Sequence, residues 1–175
     1  MNGNPLAYFI TFSTYGTWLH GQAKGSVDRT HNVPGTPFVV GNTEELESER
    51  LKMNQPEYVL DQPRREVVCS TILEVGRHRG WKIWAIHVRS NHVHIVVAAD
   101  AKPEKVSADF KAWSSRRLRE AFDEDPKRDR WTQHGSMLYL WKEDDVHSKI
   151  HYTLFEQGAP MSSFDGRTTP SEPEA

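Results

Sequence analysis

WKIWAIHVRSNHVHIVV, residues 81–97, decides how this chain is read. Trp81 to Val88 is aromatic and β-branched and alternates along its length, the pattern of a strand. Arg89-Ser90-Asn91 is a tight turn, and His92 to Ala99 is the next strand, so the two form a hairpin. Side chains alternate along a strand, which puts His92 and His94 on one face, about 7 Å apart. Val93, Ile95 and Val97 take the other face, where helices pack. The histidines therefore lie opposite that helical layer. Two neutral imidazoles on one face are able to converge on a metal ion. The His-x-His pattern alone fits two half-exposed histidines on an open sheet face equally well.

Working outward, Asp61 is an N-cap with Pro63 in the first turn behind it. Val68, Ile72 and Val75 form an amphipathic stripe, and Gly80 is a natural stop. Ala7 to Phe12 (AYFITF) is an earlier strand. Residues 14–60 between them are rich in Gly, Pro, Asn and charge, with a short helix expected over 44–53. Loops of that length are often functional; Arg29 and His31 lie within it. Downstream, Pro103 starts a helix that runs to Phe122, with Val106, Phe110 and Trp113 inward. Met137 to Trp141 is a short strand. Residues 143–157 form a last helix with Val146, Ile150 and Leu154 inward, ahead of Gly158. From Pro160 the composition turns to Ser, Thr, Pro, Glu and Gly, which predicts a disordered tail over 160–175. The order β-α-β-β-α-β plus one helix predicts an α+β, ferredoxin-like antiparallel sheet with two helices on one face. It occupies a single domain, 1–159, with 14–60 as a long insertion.

Bulk properties narrow the function classes. A net charge of −2 excludes a polybasic nucleic-acid binder, so any such contact is a local patch. The single cysteine, Cys69, excludes an intrachain disulfide and a multi-cysteine zinc site. No apolar run approaches the ~20 residues of a membrane helix, and the first residues lack the pattern of a signal peptide. A cytoplasmic protein is expected. Lys105, Lys111, Arg116, Arg117 and Arg119 give the 103–122 helix a positive excess. They suit phosphate contacts, and they equally suit a solvated helix face. Trp113 shares the spacing of Phe110 and Val106, which favours core over base stacking.

The last helix adds a second element to the histidine pair. With Val146, Ile150 and Leu154 inward, Tyr152 points the other way, with Lys149 and Glu156 one turn to either side. Gln157 follows directly, before Gly158. A tyrosine off the apolar stripe is either a surface residue or a group with chemical work to do.

Taken together, Asn91-His92-Val93-His94-Ile95-Val96-Val97 and His151-Tyr152-Thr153-Leu154-Phe155-Glu156-Gln157-Gly158 resemble the HUH single-tyrosine transposases. These are the transposases of single-strand-transposing insertion sequences and their REP-associated relatives. FSTYGTWLHG, GSVDRTHN, KPEKVSADFKAW and HGSMLYLW are similar to the same family, and the resemblance spans about residues 7–158. It implies that Tyr152 is the nucleophile on a phosphodiester of single-stranded DNA, leaving a 5′-phosphotyrosine and a free 3′-OH. It implies that His92 and His94 hold Mg²⁺ or Mn²⁺ at the scissile phosphate, with a polar residue of the tyrosine helix as third ligand. Many members carry an amide four residues after the tyrosine. Here that position is Glu156, and the amide, Gln157, stands fifth. Helix geometry favours Glu156; residue type favours Gln157, provided the last turn unwinds, and Gln157 is the expected third ligand with Glu156 as the alternative. Mobile members are homodimers with the tyrosine acting on the partner's histidines, whereas domesticated relatives include monomers, and the residues leave both arrangements open.

Other readings fare less well. A histidine-triad hydrolase needs a third histidine where Val96 stands, and a cupin is all-β. The remaining alternative is a domesticated, catalytically idle module on the same fold that binds single-stranded DNA hairpins without cutting them.

Overall fold

Residues 3–17, 43–133 and 135–168 are described by a computed structural model. Arg29, His31 and the rest of 18–42 lie outside the described residues, as do 169–175. The elements run β1 (Ala7–Ser13), α1 (Thr43–Lys52), α2 (Gln62–Arg79), β2 (Lys82–Val88), β3 (His92–Ala98), α3 (Pro103–Phe122), β4 (Ser136–Leu140), α4 (Glu143–Phe155) and β5 (Ser162–Asp165). The sheet order is β4-β1-β3-β2-β5, antiparallel at every pairing. Its first four strands are the ferredoxin-like arrangement that the sequence predicts, with β3 central.

Local signals place the helices. Asp61 caps α2 by accepting from the Arg64 N–H at 3.1 Å, Pro63 sits in the first turn, and Gly80 closes the helix with a left-handed φ of 71°. Val68, Ile72 and Val75 are fully buried. α2 and α3 cover one face of the sheet, where Ile10, Phe12, Ile86, Val93, Ile95 and Val97 meet Val106 and Phe110. Trp113 packs against this core beside His78. α4 covers the other face, setting Val146 and Ile150 on Ala7, Phe9, Ala85 and Val96. β3 is thus buried on both sides, and its two faces differ only in chemistry.

Two features depart from the sequence expectation. The first is a bulge at Trp84, where the pairing of β2 with β3 shifts between Ile83 and Ala85. Strict alternation would put Ile83 and His87 on one face. The extra residue returns Ile83 to the α2 side and leaves His87 on the α4 side, opposite His94. The second corrects the predicted disordered tail, since Ser162–Asp165 pairs with β2 as a fifth strand. Phe164 packs against the main core, and the Gly166 N–H bonds the Trp84 carbonyl at 2.9 Å. A side chain at Gly166 would run into the Ile83 carbonyl oxygen, so the bulge accepts only glycine there. Average composition of the tail hid one short strand with a buried aromatic.

The loops at the histidine end of the sheet are tied together by a buried ion cluster. Glu124 accepts from Tyr58 Oη at 2.7 Å, Arg64 Nε at 2.9 Å and Arg130 Nε at 2.8 Å. Burial pushes the Glu124 carboxyl up, but these three bonds outweigh it and hold it below the usual range. Burial, and then its bond to Glu124, push the Tyr58 phenol up to about 12. The backbone around the cluster bonds outward, Tyr15 N–H to Arg130 O, Tyr58 N–H to Tyr15 O and Leu60 N–H to Ser90 O. The turn that precedes His92 is held in this way. Among the described residues no helix is long and apolar enough to cross a membrane.

Replacing Glu124 by Ala should cost about 3 kcal/mol in urea unfolding, because it strands Arg130, whose side chain is only 4% exposed. The acid limb of stability carries the same signature. The folded carboxyl titrates below its unfolded value of about 4.3. Its contribution is therefore whole above that pH and is lost as the pH falls through the lower folded value. A Glu124→Gln variant should lack that part of the acid limb; an unchanged limb would show that the cluster does not carry it.

Candidate nucleotidyl-transfer site

His94 stands in the middle of β3, opposite Thr11 on β1 and His87 on β2. It is 7% exposed. Burial, reinforced by His92, lowers its pKa to about 3, so the ring is neutral across the physiological range. Its Nδ1 lies 2.7 Å from Thr11 Oγ1. With Nδ1–H donating to Thr11, the Nε2 lone pair is left for a ligand. His92 is fixed in the same sense. Its Nδ1–H donates to Asn91 Oδ1 at 2.6 Å, and the Asn91 carbonyl is held by the Thr14 N–H at 2.9 Å. The two imidazole rings lie 4.8 Å apart between centroids.

Tyr152 completes the group from α4. Its ring is 5.7 Å from that of His94 and 5.8 Å from that of Phe9, edge-on to both. Lys149, one turn earlier, holds its ammonium 5.2 Å over the Tyr152 ring and 5.0 Å over that of Phe9. The Tyr152 hydroxyl makes no hydrogen bond among the described residues and is partly exposed. The tyrosine thus meets the histidines of its own chain.

Glu156 and Gln157 point different ways because α4 ends early. α4 stops at Phe155, Glu156 leaves the helical backbone with φ −111°, and Gly158 turns the chain with φ 79°. That left-handed turn favours glycine. The Gln157 side chain thereby swings inward beside His94 and donates to the Tyr152 carbonyl at 3.2 Å. Glu156 points outward to an exposed ion pair with His151 at 3.3 Å. Among the described residues no three His, Cys, Asp or Glu side chains are placed to share a metal ion, which sets Glu156 and His87 apart from the pair.

The basic residues of α3 are not brought to this site, because α3 covers the opposite face. Lys105 pairs with Asp109 at 2.5 Å. Lys111 donates to the Thr132 carbonyl at 2.9 Å, and its pKa is lowered by burial. Arg117 bridges Glu74 and Glu120. Arg116 and Arg119 remain exposed.

Four residues of the site escaped sequence reasoning: Thr11, Asn91, His87 and Arg89. Asn91 was in view, directly before His92 in the turn. His87 was legible by counting outward from the hairpin turn, which pairs Val88 with Val93 and His87 with His94. Thr11 carried no local signal, since its role comes from the register of β1 on β3.

A partly exposed tyrosine, two imidazoles on one face, of which the buried His94 is neutral, and a side-chain amide at the same helix end form a set suited to phosphodiester chemistry. The match to a family model points the same way. The family model described as "Transposase IS200 like" matches residues 52–143, more than half of the chain, taking in His92 and His94 and ending before Tyr152. One solved structure with a similar chain path is a REP-associated tyrosine transposase bound to a REP hairpin. It is 12% identical, with a TM-score of 0.48, covering 89% of this chain and 68% of that one. Another is a candidate transposase from Deinococcus radiodurans, 13% identical, with a TM-score of 0.44, covering 90% of this chain and 94% of that one. No curated protein matches the chain. The sequence match over the histidine strand and its flanking helices places this chain in the IS200-like transposase family.

Proposed function

We propose that this protein is a metal-dependent enzyme that nicks and rejoins single-stranded DNA through Tyr152, acting in the cytoplasm in DNA transposition. One observation carries the reading. The Tyr152 ring stands against His94, and Gln157 reaches the same histidine from the same helix end. A surface tyrosine needs neither neighbour.

The residues fit a divalent cation. His92 and His94 share one face with their rings 4.8 Å apart, each with Nδ1 on a neighbour, and Gln157 comes in beside His94 from the end of α4. Two nitrogens and one oxygen make an open, weak site, of the kind that exchanges Mg²⁺ or Mn²⁺. When bound, such an ion would draw charge from the scissile phosphate and favour the phenolate.

The chain's own residues do the rest. Tyr152 Oη attacks phosphorus, the bond from phosphorus to the 3′ oxygen breaks, and the phenol proton is lost as the leaving 3′-OH gains one. The product is a 5′-phosphotyrosine, which keeps the energy of the broken bond, so a 3′-OH attacking phosphorus reverses the step without another energy source. Lys149 supplies positive charge beside the phenol, where a free tyrosine with a pKa of about 10 is a poor nucleophile at pH 7. Phe9 packs both rings and limits how far Tyr152 moves. The solved REP-associated relative is bound to a REP hairpin, and we take a hairpin in single-stranded DNA as the substrate class here.

The test is covalent trapping on labelled single-stranded hairpins from sequence flanking the protein's own gene. With Mn²⁺ an SDS-resistant protein–DNA band is expected, absent with EDTA and absent in Tyr152→Phe and His94→Ala. Tyr152→Phe should unfold within about 0.5 kcal/mol of wild type, because its hydroxyl holds nothing. Binding without a covalent band, across hairpins and metals, would instead support an idle hairpin-binding module.

A second comparison separates the two candidate ligands. Gln157→Ala should weaken Mn²⁺ binding, measured by calorimetry on the protein alone, by roughly 10- to 100-fold. Glu156→Ala should leave it within about twofold. The reverse ranking would move the third ligand to Glu156.

A further inference from the structure

His87 is fully buried, and the chemistry proposed above does not use it. Both of its nitrogens are nevertheless engaged, and by partners of opposite kind. Nδ1 lies 3.0 Å from the Thr153 carbonyl oxygen, which only accepts. The Met161 backbone N–H, which only donates, lies 3.0 Å from Nε2. The partners therefore dictate the tautomer: Nδ1 carries the proton and Nε2 accepts.

These partners bracket the residues that matter. Thr153 follows Tyr152 in the last turn of α4, where carbonyls have no helical partner. The Tyr152 carbonyl is taken by the Glu156 N–H and the Gln157 side chain, and the Thr153 carbonyl by His87. Met161 lies just beyond the turn at Gly158 and leads into β5, whose pairing with β2 begins at Ser162. Arg89, two residues along from His87, holds the Ala159 carbonyl at 2.9 Å between them. Tyr152 and Gln157 therefore sit on a segment clamped to the strand next to that of the metal-binding histidines.

We infer that His87 is a positioning residue, the latch that seats the end of the tyrosine helix, and with it Tyr152 and Gln157, against His92 and His94 of the same chain. The seating itself rests on the bonds above; its importance for transfer rests on the proposed role of Tyr152. An apolar side chain at 87 would fill the volume and still leave a buried carbonyl and a buried N–H without partners. Placement, rather than bulk, is what the imidazole contributes.

Three variants of the full chain separate placement from packing. Asn places its amide near the Nδ1 position and keeps the bond to Thr153. Gln reaches the Nε2 position and keeps the bond to Met161. Phe keeps neither. Amide hydrogen exchange read by NMR, without DNA or metal, should speed up roughly tenfold over 153–157 in His87→Gln and His87→Phe but not in His87→Asn. At the Met161 amide the pattern should invert, faster in His87→Asn and His87→Phe and protected in His87→Gln. Covalent product should follow the helix bond, with His87→Asn well above His87→Gln, while hairpin affinity stays within about twofold. Exchange that is unchanged in all three, or equally raised throughout the chain, overturns the latch. If His87→Phe does not fold, the opposed patterns of the Asn and Gln variants decide. Since exchange requires no catalysis, a wild-type protein that shows the latch pattern and forms no covalent band overturns the Tyr152 chemistry and leaves the seating in place.

Discussion

Burial of β3 on both faces is the constraint on which the site depends. A strand in the middle of an antiparallel sheet commonly turns one side to water. Here α2 and α3 cover Val93, Ile95 and Val97, and α4 covers Val96 and approaches His94. An imidazole in that position is stripped of water, loses its affinity for a proton and must satisfy its polar atoms within the protein. Thr11 does so at Nδ1, and Gln157 stands beside the ring; each is close only because an adjoining element was brought against β3.

The same layering separates two roles that one sheet would otherwise mix. The face toward α2 and α3 is apolar and carries the fold. The face toward α4 holds a small apolar patch of Ala7, Phe9, Ala85 and Val96 beside the histidines, and α4 docks on that patch. Val146 and Ile150 anchor the helix, and its C-terminal turn is left to polar bonds with His87, Gln157 and Arg89. Apolar packing sets where the helix lies, and directional bonds set where its last residues point.

Charge is distributed to the same end. The Glu124 cluster holds the loops behind Asn91 in place, so the turn before His92 comes from a stiff support. The cations of α3 are largely spent on Asp109, Glu74, Glu120 and a backbone carbonyl, on the far face. Lys149, by contrast, stands against Tyr152 itself. In a chain of net charge −2, positive charge at the site is thus a placed cation rather than a basic surface.

The sequence by itself determined what depends on neighbours three or four residues away. The bounds of α2 and α3, the Gly80 stop, the hairpin and the shared face of His92 and His94 all follow from periodicity and capping. Tyr152, expected to point away from the Val146 and Ile150 stripe, instead packs its ring on Phe9 and His94, because α4 lies across the sheet face that carries the histidines. Which way Glu156 and Gln157 point was not legible, because it turns on where α4 stops being a helix, and the chain at that end is bonded to β2 and its turn. His87 stood in the quoted hairpin all along and the turn fixed its face, but its partners lie 66 and 74 positions away. β5 was hidden because Ser162–Asp165 has no pattern of its own and becomes a strand only beside β2. The DNA-contact candidates on α3 looked free in one dimension, and only packing showed which of them were already paired. Local chemistry chose the elements; the register between distant strands chose which side chains meet.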